Sequence, residues 1–296
     1  MKRTKSWVNK HEYQDFLKNA IAIEGSVTPQ VIKNVFIIMI YSTIVSILYL
    51  IFPVIALPIG PFEYTGVIMG LILVFRVNAG YDRWWEARKI WGNIVNQSRN
   101  LAIIIMNYST IKDNELIIKL TNRVAALPYL IKNHLRSDAS LKQVKPLLEE
   151  GLYQKIYKAN NRPNILLSEI CKELAYLHKN NLMDSFSFLQ AEEKRGFLID
   201  NLGACERILK TPMPFVMAVK SRRFILLFLI TLPFALVNVS VYINPIVIGI
   251  IAYTLLSLDQ IGVELQNPFS EKSLSHLPLN EICINIEKDI KEMQEV

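Results

Sequence analysis

The stretch Val35–Ile51, VFIIMIYSTIVSILYLI, carries no charged residue. Its length falls at the lower end of the roughly 17–25 residues that a helix needs to cross a bilayer. A chain containing it must satisfy every backbone polar group inside that segment, so it forms a helix there or does not cross at all. Three further apolar runs follow, Phe62–Val77, Phe224–Ile243 and Pro245–Leu258. The expectation is four membrane segments at about 35–52, 62–77, 224–243 and 245–258. The second would barely cross alone, but its helical pattern continues through Tyr81, Trp84, Arg88 and Trp91 with no proline before Pro128. One long helix that crosses the membrane and projects beyond it is therefore predicted.

Between about 78 and 223 the sequence turns amphipathic, with charges interleaved among apolar residues at helical spacing. Breaks are expected at Ser137–Ser140, Pro146, Gly151 and Asn160–Asn164, which predicts four or five soluble helices. A polar tail occupies 259–296, punctuated by Pro268 and Pro278, and Pro233 should kink the third membrane segment. No internal repeat and no strand-like alternation emerges. The fold class is all-α, read as a single domain over 1–296.

The loops Pro53–Gly66 and Asn238–Asn244 contain no Lys or Arg, whereas the other non-apolar regions contain several. The positive-inside rule then places both termini, the 78–223 region and the tail in the cytosol of a multi-pass protein of the cell membrane. Lys2, Arg3, Lys5, Lys10, Lys18 and Lys33 precede the first run, and Arg222 and Arg223 precede the third. The net charge of +7 is thus the cytosolic face of a membrane protein and implies no nucleic-acid partner. The first apolar run lies behind a long charged start, so no cleavable signal peptide is expected. Cys171, Cys205 and Cys283 lack a metal-ligand spacing and read as reduced cytosolic thiols. His11, His134, His178 and His276 are equally scattered, so neither a metal, a cofactor nor a nucleophile–base pair is expected.

The segment Phe75–Gly92 reads FRVNAGYDRWWEARKIWG. Tyr81, Trp84, Trp85 and Trp91 could form an interfacial aromatic belt, with Arg83, Arg88 and Lys89 at headgroups. The order of residues is more specific than a belt requires. Tyr81, Arg83, Trp84, Trp85, Glu86, Ala87, Arg88, Trp91 and Gly92 resemble the signature of the bestrophin family of ion channels. Gly203–Pro214 (GACERILKTPMP) and Gln266–Asn280 (QNPFSEKSLSHLPLN) are similar to further family elements, the latter through Asn267, Pro268 and Phe269. The resemblance covers essentially the whole chain and is nearest to prokaryotic members.

That resemblance implies a barrel-shaped homopentamer in membrane lipid around one axial pore, passing monovalent ions and carrying no catalytic residue. It implies a hydrophobic neck at Val67, Leu71 and Phe75 on the second membrane helix. These lie at i, i+4 and i+8, on one helix face, beside Gly66 and Gly70, although ordinary core or lipid-facing positions would share that spacing. A second constriction at the cytosolic exit matches Phe186, or Met183 or Phe188 if the register slips, and a packed core aromatic is the alternative. Anion conduction is the family default. Cation conduction is the other reading for a prokaryotic member, and Asp184 near the exit would give a ring of carboxylates that favours cations. Phe269 is followed by Ser270, Glu271 and Lys272 rather than an acidic run, which argues against direct calcium activation.

Three rival classes are weaker. An enzyme built in a membrane bundle would need Glu-x-x-His pairs, and none occurs. A transporter would show paired repeats with broken helices. A pore-less membrane scaffold or assembly factor shares the topology and differs only in lacking conduction.

Overall fold

Proline and glycine set most of the helix starts in the computed structural model, which describes residues 16–111 and 114–295. A short helix, α1, spans Phe16–Ala20, and α2 spans Thr28–Ile51 with Pro29 in its first turn, where the missing N–H costs nothing. Pro53 ends α2 through a single 3₁₀ turn, and Gly60 and Pro61 open α3, which runs Gly60–Asn107. At 1.5 Å per residue its 48 residues extend about 72 Å, the long continuous helix that the proline-free sequence predicts. Next come α4 (Asn114–Arg136), α5 (Glu150–Tyr157), α6 (Arg162–Lys179) and α7 (Ser185–Lys210). The chain closes with α8 (Phe215–Leu236), α9 (Asn244–Glu264) and α10 (Leu279–Glu295). Among the described residues there is no strand, only an isolated bridge between Ser109 and Met183. The chain is all-α.

Several boundaries differ from the sequence expectation. The third apolar run stops being helical at Leu236 rather than continuing to Ile243, because 237–243 forms the turn that lets Pro245 open α9. α9 runs six residues past Leu258, since Asp259 finds cationic partners and no proline intervenes before Pro268. Gly151 lies inside α5 rather than at a break. The tail taken as merely polar holds α10, whose Leu279, Cys283, Ile286 and Ile290 are buried at helical spacing. The cations Lys2, Arg3, Lys5 and Lys10, with His11, lie outside the described residues.

The chain divides into two compact units. The first comprises the residues through Trp84, Pro212–Pro268 and Lys272–Ser275, and the second Trp85–Thr211, Phe269–Glu271 and His276–Val296. In the first, α2, α8, α9 and the start of α3 enclose a core of Met69, Leu73, Phe228, Leu232, Ile248 and Ala252. α2, α3 and α9 are each long and apolar enough to cross a membrane. α8 is as long as α9, but Lys220, Arg222 and Arg223 crowd its first turns. α2 and α9 approach so closely that a Cβ on Gly249 would lie 2.7 Å from Met39 Sδ.

The second unit is built around α4, buried almost throughout from Leu120 to Leu135. Its buried Arg123 reaches Glu173 at 2.8 Å and Glu149 at 3.3 Å. α10 is tied down by polar contacts at both flanks of its apolar stripe. Tyr129 donates to Glu287 at 2.7 Å, Lys132 donates to Asn280 at 2.9 Å, and Arg99 on α3 pairs with Asp289.

Candidate pore-lining residues

The first turns of α3 are two-faced. Phe62, Met69, Leu73 and Arg76 turn toward the unit's own helices, and Gly80 meets α9 so closely that a Cβ would lie 3.1 Å from Leu265 Cβ. The opposite face carries Val67, Leu71 and Phe75, which are 74%, 54% and 60% exposed in the protomer. Tyr64 and Ile68 extend the same apolar, unpacked surface. The three neck candidates therefore share one face, and the protomer does not use them as core.

The start of α7 separates the alternatives for the second constriction. Met183 is 2% exposed, and Phe188 stacks on His178 with ring centroids 4.8 Å apart. Phe186, between them, is 82% exposed. Met183 and Phe188 are thus engaged in packing, and of the three Phe186 alone presents a free tip in the protomer. Asp184 caps the helix, accepting from the backbone N–H of Phe186 at 2.9 Å and of Ser187 at 3.1 Å. The Ser187 hydroxyl and these backbone donors hold the Asp184 carboxyl below the usual carboxylate range, so it stays ionised. Its capping role is one that the sequence reading did not assign.

Signature residues do structural work on each side of the division between units. In the first unit, Arg83 Nε donates to the Gln266 carbonyl at 2.7 Å and Trp84 Nε1 to the Ser275 carbonyl at 2.6 Å. Tyr81 stacks on Trp84, and together they clamp α3 to the segment that carries Asn267 and Pro268. In the second unit, Trp91 is fully buried, Glu86 pairs with Arg207 at 3.0 Å, and Arg88 lies over Gly92, where a Cβ would stand 3.4 Å from its guanidinium. Trp85 remains half exposed. Phe269 is buried with its carbonyl bound by Arg136, which also pairs with Glu271. The one carboxylate directly after the Asn-Pro-Phe element is thus engaged by an arginine.

A family profile described as "Bacterial/Fungal Bestrophin protein" matches residues 6–292. The chain belongs to the bestrophin family. A voltage-dependent anion channel-forming protein of Nostoc sp. is 33% identical over 93% of this chain and 90% of its own length. The protein of that description from Escherichia coli K12, YneE, is 32% identical over 80% of this chain and 77% of its own. Among solved structures, a bacterial bestrophin homologue from Klebsiella pneumoniae carrying one mutation superposes with a TM-score of 0.84 at 29% identity. The match covers 90% of this chain and 100% of that one.

In this bestrophin two charged residues at the ends of apolar runs, Arg76 near the end of the second and Asp259 directly after the fourth, meet in space. Arg76 on α3 is buried, pairs with Asp259 of α9 at 3.0 Å, and donates to the Ala218 carbonyl at 3.2 Å and to the Ser221 hydroxyl on α8. Arg222 Nε reaches the other Asp259 oxygen at 3.1 Å. Two guanidinium groups share one carboxylate where three helices meet. Opposite charges at corresponding ends of two apolar runs were the available clue. In the second unit, burial pushes the Cys205 and Cys283 thiols up to about 12, so both stay protonated at neutral pH.

Proposed function

We propose that the chain is the protomer of a homopentameric channel, in which Val67, Leu71 and Phe75 from each copy close a hydrophobic neck around the axis. The observation that carries this reading is the unpacked apolar face of α3 at those positions. α3 is also the least apolar of the three helices suited to crossing a membrane, which makes it the poorest lipid-facing helix and the best one to turn inward. Rings of apolar side chains gate by dewetting, so an oily lining is compatible with conduction. Phe186 at the start of α7 forms the second constriction. The family profile runs across both compact units, which supports treating 1–296 as one channel domain.

The ion conducted is a monovalent anion of the chloride type, in line with the names of relatives at 32–33% identity. One observation favours a second reading: Asp184 is an exposed, ionised carboxylate two residues from Phe186, and five such groups would draw cations. Four spans, α2, the start of α3, α8 and α9, cross the cell membrane with both termini and the second unit in the cytosol. Conduction needs no direct calcium binding, because Glu271 is committed to Arg136. A pore-less scaffold is the alternative. Purified protein should run as a pentamer, and in liposomes under a sodium chloride gradient it should give a reversal potential near the chloride equilibrium value. A reversal at the sodium value would assign the cation reading, and a monomer passing no ions would establish the scaffold.

A further inference from the structure

A cavity of about 430 Å³ opens between α2, α8 and α9 in the first unit. Its lining is graded in the same direction on all three helices. α2 contributes Gln30 in its first turn and Ile37 two turns on, and α8 contributes Arg222 and then Leu226 and Leu229. α9 runs the opposite way and, correspondingly, presents Leu256 before Asp259. One end of the cavity is therefore polar and charged, with Arg222 and Asp259, and the other aliphatic, the profile of an amphiphile rather than of an ion or a sugar.

Within the lining Arg222 and Asp259 carry the charges, and Asp259 is also paired with the buried Arg76 behind it, so two guanidinium groups share this carboxylate. Asp259 engages Arg222 through Nε, and among the described residues the terminal amino groups of Arg222 have no partner. A guanidinium with unused donors in a fork geometry matches a phosphate diester. We propose that this cavity is a binding site for a phospholipid with an anionic headgroup. The phosphate pairs with Arg222, and one acyl chain lies along Ile37, Leu226 and Leu229. Asp259 does not repel it, because its charge is already matched by Arg76 beneath. The Gln30 amide is held at the rim by its 3.0 Å bond to Glu264, so the polar end is preorganised. Placement of this end at the cytosolic leaflet rests on the topology proposed above, but occupancy of the cavity does not.

Binding can be read without any ion current, by native mass spectrometry of the purified full-length protein with added phosphatidylglycerol or phosphatidylcholine. Wild type should retain phosphatidylglycerol in preference to phosphatidylcholine. Arg222→Gln should lower that retention about tenfold, the loss expected for one charge-assisted phosphate contact, whereas Arg223→Gln, outside the cavity lining, should not. Ile37→Trp fills the aliphatic end without touching the ion cluster and should displace the lipid while the protein stays folded. Equal retention by the two arginine variants, or no loss with Ile37→Trp, would overturn the site. So would indifference to the headgroup, or a cysteine at Gln30 crosslinking to a neighbouring copy, which would show that protein and not lipid fills the space.

Discussion

Two phenylalanines, two positions apart on α7, show how packing divides function from structure at the scale of a residue. Phe188 is stacked on His178 and belongs to the second unit's own fabric, whereas Phe186 touches little within the protomer. Phe186→Ala should therefore leave thermal unfolding unchanged and raise unitary conductance if its ring narrows the exit. Phe188→Ala should lose roughly 0.5–1.5 kcal/mol from the stack alone and lower the unfolding temperature. Conductance unchanged by Phe186→Ala, with stability lost instead, would remove it from the pore. Asp184 needs a double reading, because the same carboxylate caps α7 and faces solvent. Asp184→Asn keeps a capping oxygen while removing the charge, so any shift in ion selectivity it causes is electrostatic.

At the scale of elements, the first unit is held by apolar packing of α2, α8 and α9 on one side of α3, and by a buried ion cluster. Asp259→Asn should leave Arg76 without its counter-charge and cost about 3–5 kcal/mol, seen as a large drop in the unfolding temperature in detergent. Replacing Arg76 by Met and Asp259 by Leu together should recover much of that loss. An Asp259→Asn protein as stable as wild type would mean that water or lipid compensates the arginine. The sequence made the α2 run, the long α3 and the signature legible because uninterrupted hydrophobicity and the absence of proline are local properties. The ends of α8 and α9 were only partly legible. Asn238–Asn244 reads both as a cation-free loop and, as far as Ile243, as the end of an apolar run, and the structure makes it a corner, where Pro245 opens α9 and the buried Asn244 donates to Ser46 at 3.1 Å. α10 was missed because its four buried residues are outnumbered by charges, although their spacing of four, three and four was on view. The face of α3 carrying Val67, Leu71 and Phe75 came from periodicity plus family resemblance, whereas the Arg76–Asp259–Arg222 cluster needed three helices in place before it could be recognised.

For the whole molecule, the cation-free segments Pro53–Gly66 and Asn238–Asn244 should emerge on one side of the membrane, opposite both termini. A cysteine at Glu63, exposed in the first turn of α3, should react with an impermeant thiol reagent added to intact cells. Labelling only after lysis would invert the topology. The apolar face of α3 can turn toward lipid, toward a neighbouring copy or toward the axis, and the proposed channel turns it toward the axis. The most direct test is single-channel recording of purified protein in planar bilayers for Leu71→Ala, Phe75→Ala and the control Ile72→Ala, with the assembled yield of each measured alongside. Ile72 lies about 100° round the helix from Leu71. If five copies of the face form the neck, each apolar ring adds a dehydration barrier, so Phe75→Ala raises conductance most, Leu71→Ala less and Ile72→Ala little, with the pentamer intact. Equal currents across the set, with yield falling only for Leu71→Ala and Phe75→Ala, would show that these side chains pack rather than line a pore.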